Sequence, residues 1–118
     1  MKYMLLIYAE EAGWDRLTPE MQKQGVAAYG AYTEALDAAG VRLASNRLRH
    51  TDTATSVRIV NGETKVLDGP YAESKEQLGG FYMIDVPDLD TALSWAARCP
   101  GAQYGTIEVR PVWEMYTD

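Results

Sequence analysis

Two stretches of this chain are apolar on both alternating parities: Lys2-Tyr3-Met4-Leu5-Leu6-Ile7-Tyr8 and Gly80-Phe81-Tyr82-Met83-Ile84-Asp85-Val86. Each has the length of a strand rather than of a helix. A strand apolar on one parity needs cover on one face, and a strand apolar on both needs it on two. Any fold for this chain must therefore place these two strands where both sides are shielded from water.

The rest of the chain supplies limited cover. Thr18-Pro19 reads as an N-cap followed by proline at the first helical position. Met21, Gly25, Ala28, Tyr29, Tyr32, Ala35, Leu36 and Ala39 then recur at three- and four-residue steps, one face of a long amphipathic helix that Gly40 ends. Asp88 caps a second helix whose apolar face is read as Leu89, Ala92, Leu93 and Ala96, and Pro100-Gly101 stops it. Val41 to Leu48 and Thr106 to Trp113 read as further strands, and Ala9 to Leu17 reads as a loop carrying Glu10, Glu11, Trp14 and Asp15. Ser56–Val60 and Glu63–Leu67 flank Asn61-Gly62, the signature of a two-residue type I′ hairpin. That register sets Val57 opposite Val66, Ile59 opposite Thr64, and Arg58 opposite Lys65.

The order is strand, helix, strand, hairpin, strand, helix, strand. Without the hairpin it is βαββαβ, an α+β fold of ferredoxin-like type. Two helices cover only one face of such a sheet. A second copy, face to face, is the economical cover for the other, which predicts a homodimer enclosing a cavity. Glu108 and Arg110 point into that cavity if Ile107 and Val109 face the helices, and a buried charged pair is costly without a partner or ligand.

Composition narrows the function. The chain has 118 residues, the size of one domain, with a net charge of -6. That balance argues against nucleic acid and against an anionic membrane surface, both of which call for clustered Lys and Arg. No apolar run reaches membrane-spanning length. With a single cysteine, Cys99, and no signal-peptide pattern, the expected location is the cytoplasm. His50 is the only histidine, so no His-based metal site assembles within one chain, though it can serve as a lone acid–base group. No metal-ligand spacing or phosphate-cradling glycine loop implies a cofactor.

The densest concentration of polar chemistry is Asp68-Gly69-Pro70-Tyr71-Ala72-Glu73-Ser74-Lys75-Glu76-Gln77-Leu78-Gly79-Gly80, between the hairpin and the second doubly apolar strand. Asp68 to Tyr71 reads as a turn. An acid near a lysine shifts its proton affinity, so Asp68, Glu73 and Lys75 are the candidate acid–base residues. Gly79 and Gly80 permit close backbone approach. Tyr71, Gly79, Gly80, Glu108 and Arg110 are the candidate ligand contacts.

This stretch, with Phe81-Tyr82, resembles the signature of the YCII-related family in its DGPF-motif branch. Ala96-Ala97-Arg98-Cys99-Pro100 and Gly105-Thr106-Ile107-Glu108-Val109-Arg110-Pro111-Val112 resemble that branch's other blocks. Tyr71 stands where the name-giving motif has Phe, which keeps the ring and adds a hydroxyl. The resemblance implies a dimeric α+β barrel. It implies less about activity. Some YCII-like proteins use a His–Asp pair in a cleft, with the His on or near the first helix, and one relative is a dehydrochlorinase. This chain has Tyr29 and Tyr32 in that region and no His, so the pair is not carried over. Proteins of the DGPF type also tend to be encoded beside extracytoplasmic-function sigma factors. A small-molecule binder with acid–base, lyase- or hydrolase-like chemistry is therefore expected, with a sigma-factor-linked accessory or sensing role as the alternative.

Overall fold

The computed structural model describes residues 1–114. Its elements are β1 (Lys2–Ala9), α1 (Glu11–Asp15), α2 (Pro19–Ala38), β2 (Arg42–Arg47), β3 (Thr55–Val60), β4 (Glu63–Asp68), β5 (Gln77–Asp85), α3 (Leu89–Arg98) and β6 (Thr106–Pro111). Two 3₁₀ turns, Thr51–Thr53 and Pro100–Gln103, join them. The main sheet runs β2-β5-β1-β6 with every neighbouring pair antiparallel, the ferredoxin-like order. The two strands apolar on both parities, β1 and β5, are its two central ones.

One face of this sheet carries the core. Tyr3 and Leu5 of β1 and Tyr82 and Ile84 of β5 meet Tyr32 and Leu36 of α2 and Ala92 and Ala96 of α3. Leu5, Leu36 and Ile84 are fully buried, and each such side chain contributes about 1.5–3 kcal/mol relative to exposure. The buried tyrosines have partners for their hydroxyls. Tyr32 donates to the Trp95 carbonyl at 2.7 Å, and Tyr82 shares a hydrogen bond of 2.7 Å with Thr33. Ile107 and Val109 of β6 pack against the same cluster.

Met4, Leu6, Phe81 and Met83 project from the opposite face, outside that cluster and partly exposed. Glu108 lies across from Leu6, and Arg110 across from Met4. Both charged residues therefore stand on the open face, as the alternation of β6 requires.

The helix ends follow their sequence signals. The Thr18 hydroxyl accepts the Met21 N–H at 3.2 Å, the Asp88 carboxylate accepts the Thr91 N–H at 2.8 Å, and Gly40 takes a φ of 71° past the end of α2. Three local expectations are corrected. Residues 11–15 form α1 rather than a loop. The first N–H of α1 bonds Gln77 Oε1 at 2.9 Å, and the Trp14 ring packs on α2 at Gly25, where a Cβ would stand 3.1 Å from Trp14 Cζ3. Strand β5 starts at Gln77 rather than at Gly80, so Gly79 lies inside it as well. A Cβ on Gly80 would come within 2.8 Å of the Asn46 carbonyl oxygen of β2, so only glycine fits there. On α3, Leu89 and Leu93 are exposed, and Trp95 and Cys99 pack inward with Ala92 and Ala96 instead.

The β3–β4 hairpin pairs only with itself. Asn61 and Gly62 have φ of 51° and 79°, as a type I′ turn demands, and the register is the expected one. Val57, Ile59 and Val66 share one face and are 61%, 71% and 61% exposed. The hairpin gives the chain a flat outline of 47 × 47 × 18 Å and a radius of gyration of 16.3 Å. A compact chain of this length has about 13.5 Å.

Candidate functional site

Four strand ends share one edge of the sheet. Strand β1 ends at Ala9, opposite Gln77 where β5 begins. Strand β2 ends at Arg47, opposite Gly80, and β6 begins at Thr106, opposite Tyr8. Everything that connects these ends converges here: α1, the turn after β2, and the charged stretch before β5.

Hydrogen bonds join the three connections. Glu11 of α1 accepts the Thr51 N–H at 2.8 Å and the Thr51 hydroxyl at 3.0 Å. Those bonds draw the turn after β2 onto α1, and His50 comes with it. His50 Nδ1 then lies 3.8 Å from Asp15 Oδ1, with side chains 36% and 61% exposed. Gln77 accepts from Glu11 with its oxygen and donates to the Ser74 carbonyl at 2.6 Å with its nitrogen. Glu76 accepts from the Thr106 hydroxyl at 2.9 Å. The organising stretch is thereby tied to both α1 and β6.

Two clefts flank the Asp15–His50 pair. One, of about 400 Å³, is lined by Glu10, Glu11, Ala12, Asp15, Lys75 and Gln77. The other, of about 390 Å³, is lined by Arg47, Leu48, Arg49, His50 and Thr53. The first wall is acidic apart from Lys75, whose Nζ is 3.8 Å from Glu10. The second is basic, and Arg47 there stacks 4.7 Å above the Trp14 ring.

The residues singled out from sequence fall in four places. Lys75 lines the acidic cleft. Asp68 ends β4 opposite Thr55, and Glu73 lies in the exposed connection after it. Among the described residues neither carboxylate makes a side-chain hydrogen bond or ion pair. Gly69, with φ of 101°, makes the turn between them, its N–H bonded to the Ala54 carbonyl at 2.7 Å. Tyr71 is exposed, with the Arg58 guanidinium 6.0 Å from its ring. Gly79 and Gly80 serve strand pairing, the Gly79 carbonyl accepting the Leu48 N–H at 2.9 Å. Glu108 and Arg110 stand apart from this edge, on the open face.

Asp15 and His50 were not paired by sequence reasoning. They come from separate connections with no fixed spacing, and only the acidic run before the first helix and the lone histidine at a strand end marked them. Other titratable groups are set away from neutral chemistry. Burial pushes the Tyr29, Tyr32 and Tyr82 hydroxyls and the Cys99 thiol up, so these groups hold their protons near neutrality. No helix among the described residues is long and apolar enough to cross a membrane.

Comparison with known proteins places this frame. The YCII-related domain profile matches residues 1–116. An uncharacterised protein of Rhizobium meliloti is 38% identical over 114 residues, which span 95% of this chain and 92% of that one. The solved structure of 5-chloro-2-hydroxyhydroquinone dehydrochlorinase from Burkholderia phenoliruptrix, in complex with 2,5-dihydroxybenzoquinone, matches 96% of this chain and 94% of its own, with a TM-score of 0.56 and 14% identity. At that identity the likeness is one of fold, the α+β arrangement from which dimeric α+β barrels are built. The chain belongs to the YCII-related family.

Proposed function

We propose that the protein binds a small molecule and performs acid–base chemistry on it, of lyase-like type, as a homodimer. The observation that carries the reading is the Asp15–His50 pair standing between two clefts. Imidazole can serve as acid and as base, and a neighbouring carboxylate can orient the ring. The separation of 3.8 Å is longer than a hydrogen bond, and such contacts in empty sites commonly tighten only around substrate. His50 acts as the proton acceptor or donor, Asp15 as its electrostatic partner, and Glu11 as the residue that positions the turn. Lys75, in the adjoining cleft, supplies a cation to a developing negative charge.

The open face supports the homodimer. Met4, Leu6, Phe81 and Met83 form an apolar surface with Glu108 and Arg110 at its margin, and a second copy is the partner that satisfies both. The cavity between two such faces is the second place for ligand contact. The fold neighbour's complex with a dihydroxybenzoquinone supports the choice of a small ring compound as the first probe.

Native mass spectrometry gives the oligomeric state and any carried ligand. Titration with 2,5-dihydroxybenzoquinone, followed by tryptophan fluorescence and by product analysis, then compares the wild type with Asp15→Asn and His50→Gln. The expected result is a dimer that binds or converts the probe, with conversion lost in both variants. A monomer overturns the homodimer. Variants that convert the probe like the wild type overturn the acid–base assignment.

A further inference from the structure

We infer that the basic cleft at the end of β2 binds the anionic oxygens of a small molecule, a carboxylate or a phosphate. This extends the acid–base reading by naming the charge of the substrate, and it rests on that reading only for the role of the neighbouring imidazole.

The charge pattern is the first support. The chain holds 17 acids against 11 Lys and Arg, yet among the described residues no acid lines this cleft. Arg16 and Arg42 have carboxylate partners, Glu10 at 3.9 Å and Asp37 at 2.7 Å. Among the described residues Arg47 and Arg49 have none. Both arginines line this one cleft, and an anion bound there would offset their like charge.

Preorganisation is the second. Arg47 lies on the Trp14 ring, and Trp14 rests in the space left by Gly25. A guanidinium seated over a ring can keep N–H groups free for the two-pronged contact with carboxylate or phosphate. The far wall is equally fixed. The Thr53 N–H and hydroxyl both bond the His50 carbonyl, at 3.0 and 2.7 Å, and Leu48 is bonded to Gly79. Leu48 offers the body of a small organic acid an apolar contact beside the arginines.

Position is the third. His50 lines this cleft while Asp15 lines the other. An anionic group anchored by Arg47 and Arg49 is therefore adjacent to the imidazole that exchanges protons.

The single histidine makes the test direct, because the full-length protein has one imidazole signal. That signal is followed by NMR at fixed pH and constant ionic strength during titration with inorganic phosphate and, separately, with benzoate, against a sodium chloride control. The expected result is a saturable shift with at least one of the two anions, weakened about tenfold or more in Arg47→Ala and in Arg49→Ala. Phosphate alone indicates a phosphorylated ligand, and benzoate alone a carboxylate. Arg49 takes no part in the Trp14 stack, so Arg49→Ala carries the test if Arg47→Ala fails to fold. Asp15→Asn is expected to keep anion binding while losing the acid–base partner, which separates this inference from the proposed chemistry. No shift beyond the chloride control, or arginine variants that titrate like the wild type, overturns it.

Discussion

Glu11 grips Thr51 with both carboxylate oxygens, Oε1 on the backbone N–H and Oε2 on the hydroxyl. That double contact fastens α1 to the turn carrying His50, so the Asp15–His50 contact depends on a residue that belongs to neither partner. Glu11→Ala is expected to lower stability by about 1 kcal/mol, below the about 1.5–3 kcal/mol of charged hydrogen bonds because the site is half-exposed. It should also move the His50 imidazole signal by more than Asp52→Ala does. Unchanged stability and an unchanged signal would mean the turn holds itself in place.

The two glycines inside α2 differ in what surrounds them. A Cβ on Gly30 meets nothing within 4 Å, whereas one on Gly25 meets Trp14 at 3.1 Å. Gly30→Ala is expected to gain about 1 kcal/mol from helix propensity alone. Gly25→Ala should gain less, because the ring must give way and Arg47 with it. Thermal unfolding of the two variants beside the wild type checks the ordering.

Stability should fall at both extremes of pH. The Arg42 guanidinium beside Asp37, and the Thr91 hydroxyl and N–H beside Asp88, hold these carboxyls below the ordinary value of 3.8. Their contribution is present above that value and is lost as pH falls through the lower folded values. On the alkaline side, burial raises Cys99 above 9.0 and Tyr29, Tyr32 and Tyr82 above 10.0. Their contribution is complete below the unfolded values and is lost as rising pH ionises the unfolded chain first. Urea midpoints measured across the pH range should drop at both ends. Asp37→Asn and Asp88→Asn should flatten only the acid limb.

Glu108 and Arg110 sit two residues apart on the open face without a partner among the described residues. In a two-fold interface each can meet the other's counterpart, giving two reciprocal ion pairs. Glu108→Arg and Arg110→Glu should each weaken self-association about tenfold, and the double exchange should restore it. Sedimentation equilibrium reads all three. Single variants that associate like the wild type would show that these residues do not meet across the axis.

The frame was legible because its signals are local. Asn61-Gly62 dictated a turn, Thr18 and Asp88 announced helix starts, and the double-parity runs marked β1 and β5 as central strands. Helix α1 was not legible, since five residues carry too little periodicity and its support comes from Gln77 and Gly25, both distant in sequence. The strand role of Gly79 and the reason for glycine at position 80 were hidden in a similar way: the need at Gly80 arises from the Asn46 carbonyl of a neighbouring strand. The Asp15–His50 pair was out of reach because nothing in either segment encodes their meeting. Glu11, Thr51 and Gln77 bring them together through space.

Strands β2 and β5 are antiparallel neighbours, so all that lies between them is topologically one long loop. Closing a longer loop costs little more than closing a shorter one. The hairpin can therefore be shortened, lengthened or excised without altering the register of the main sheet. His50 and Lys75 lie on the same loop, at its two roots. The segment that the fold leaves freest to vary is thus the one that holds His50 and Lys75 of the proposed site, so that site can change without the core changing with it.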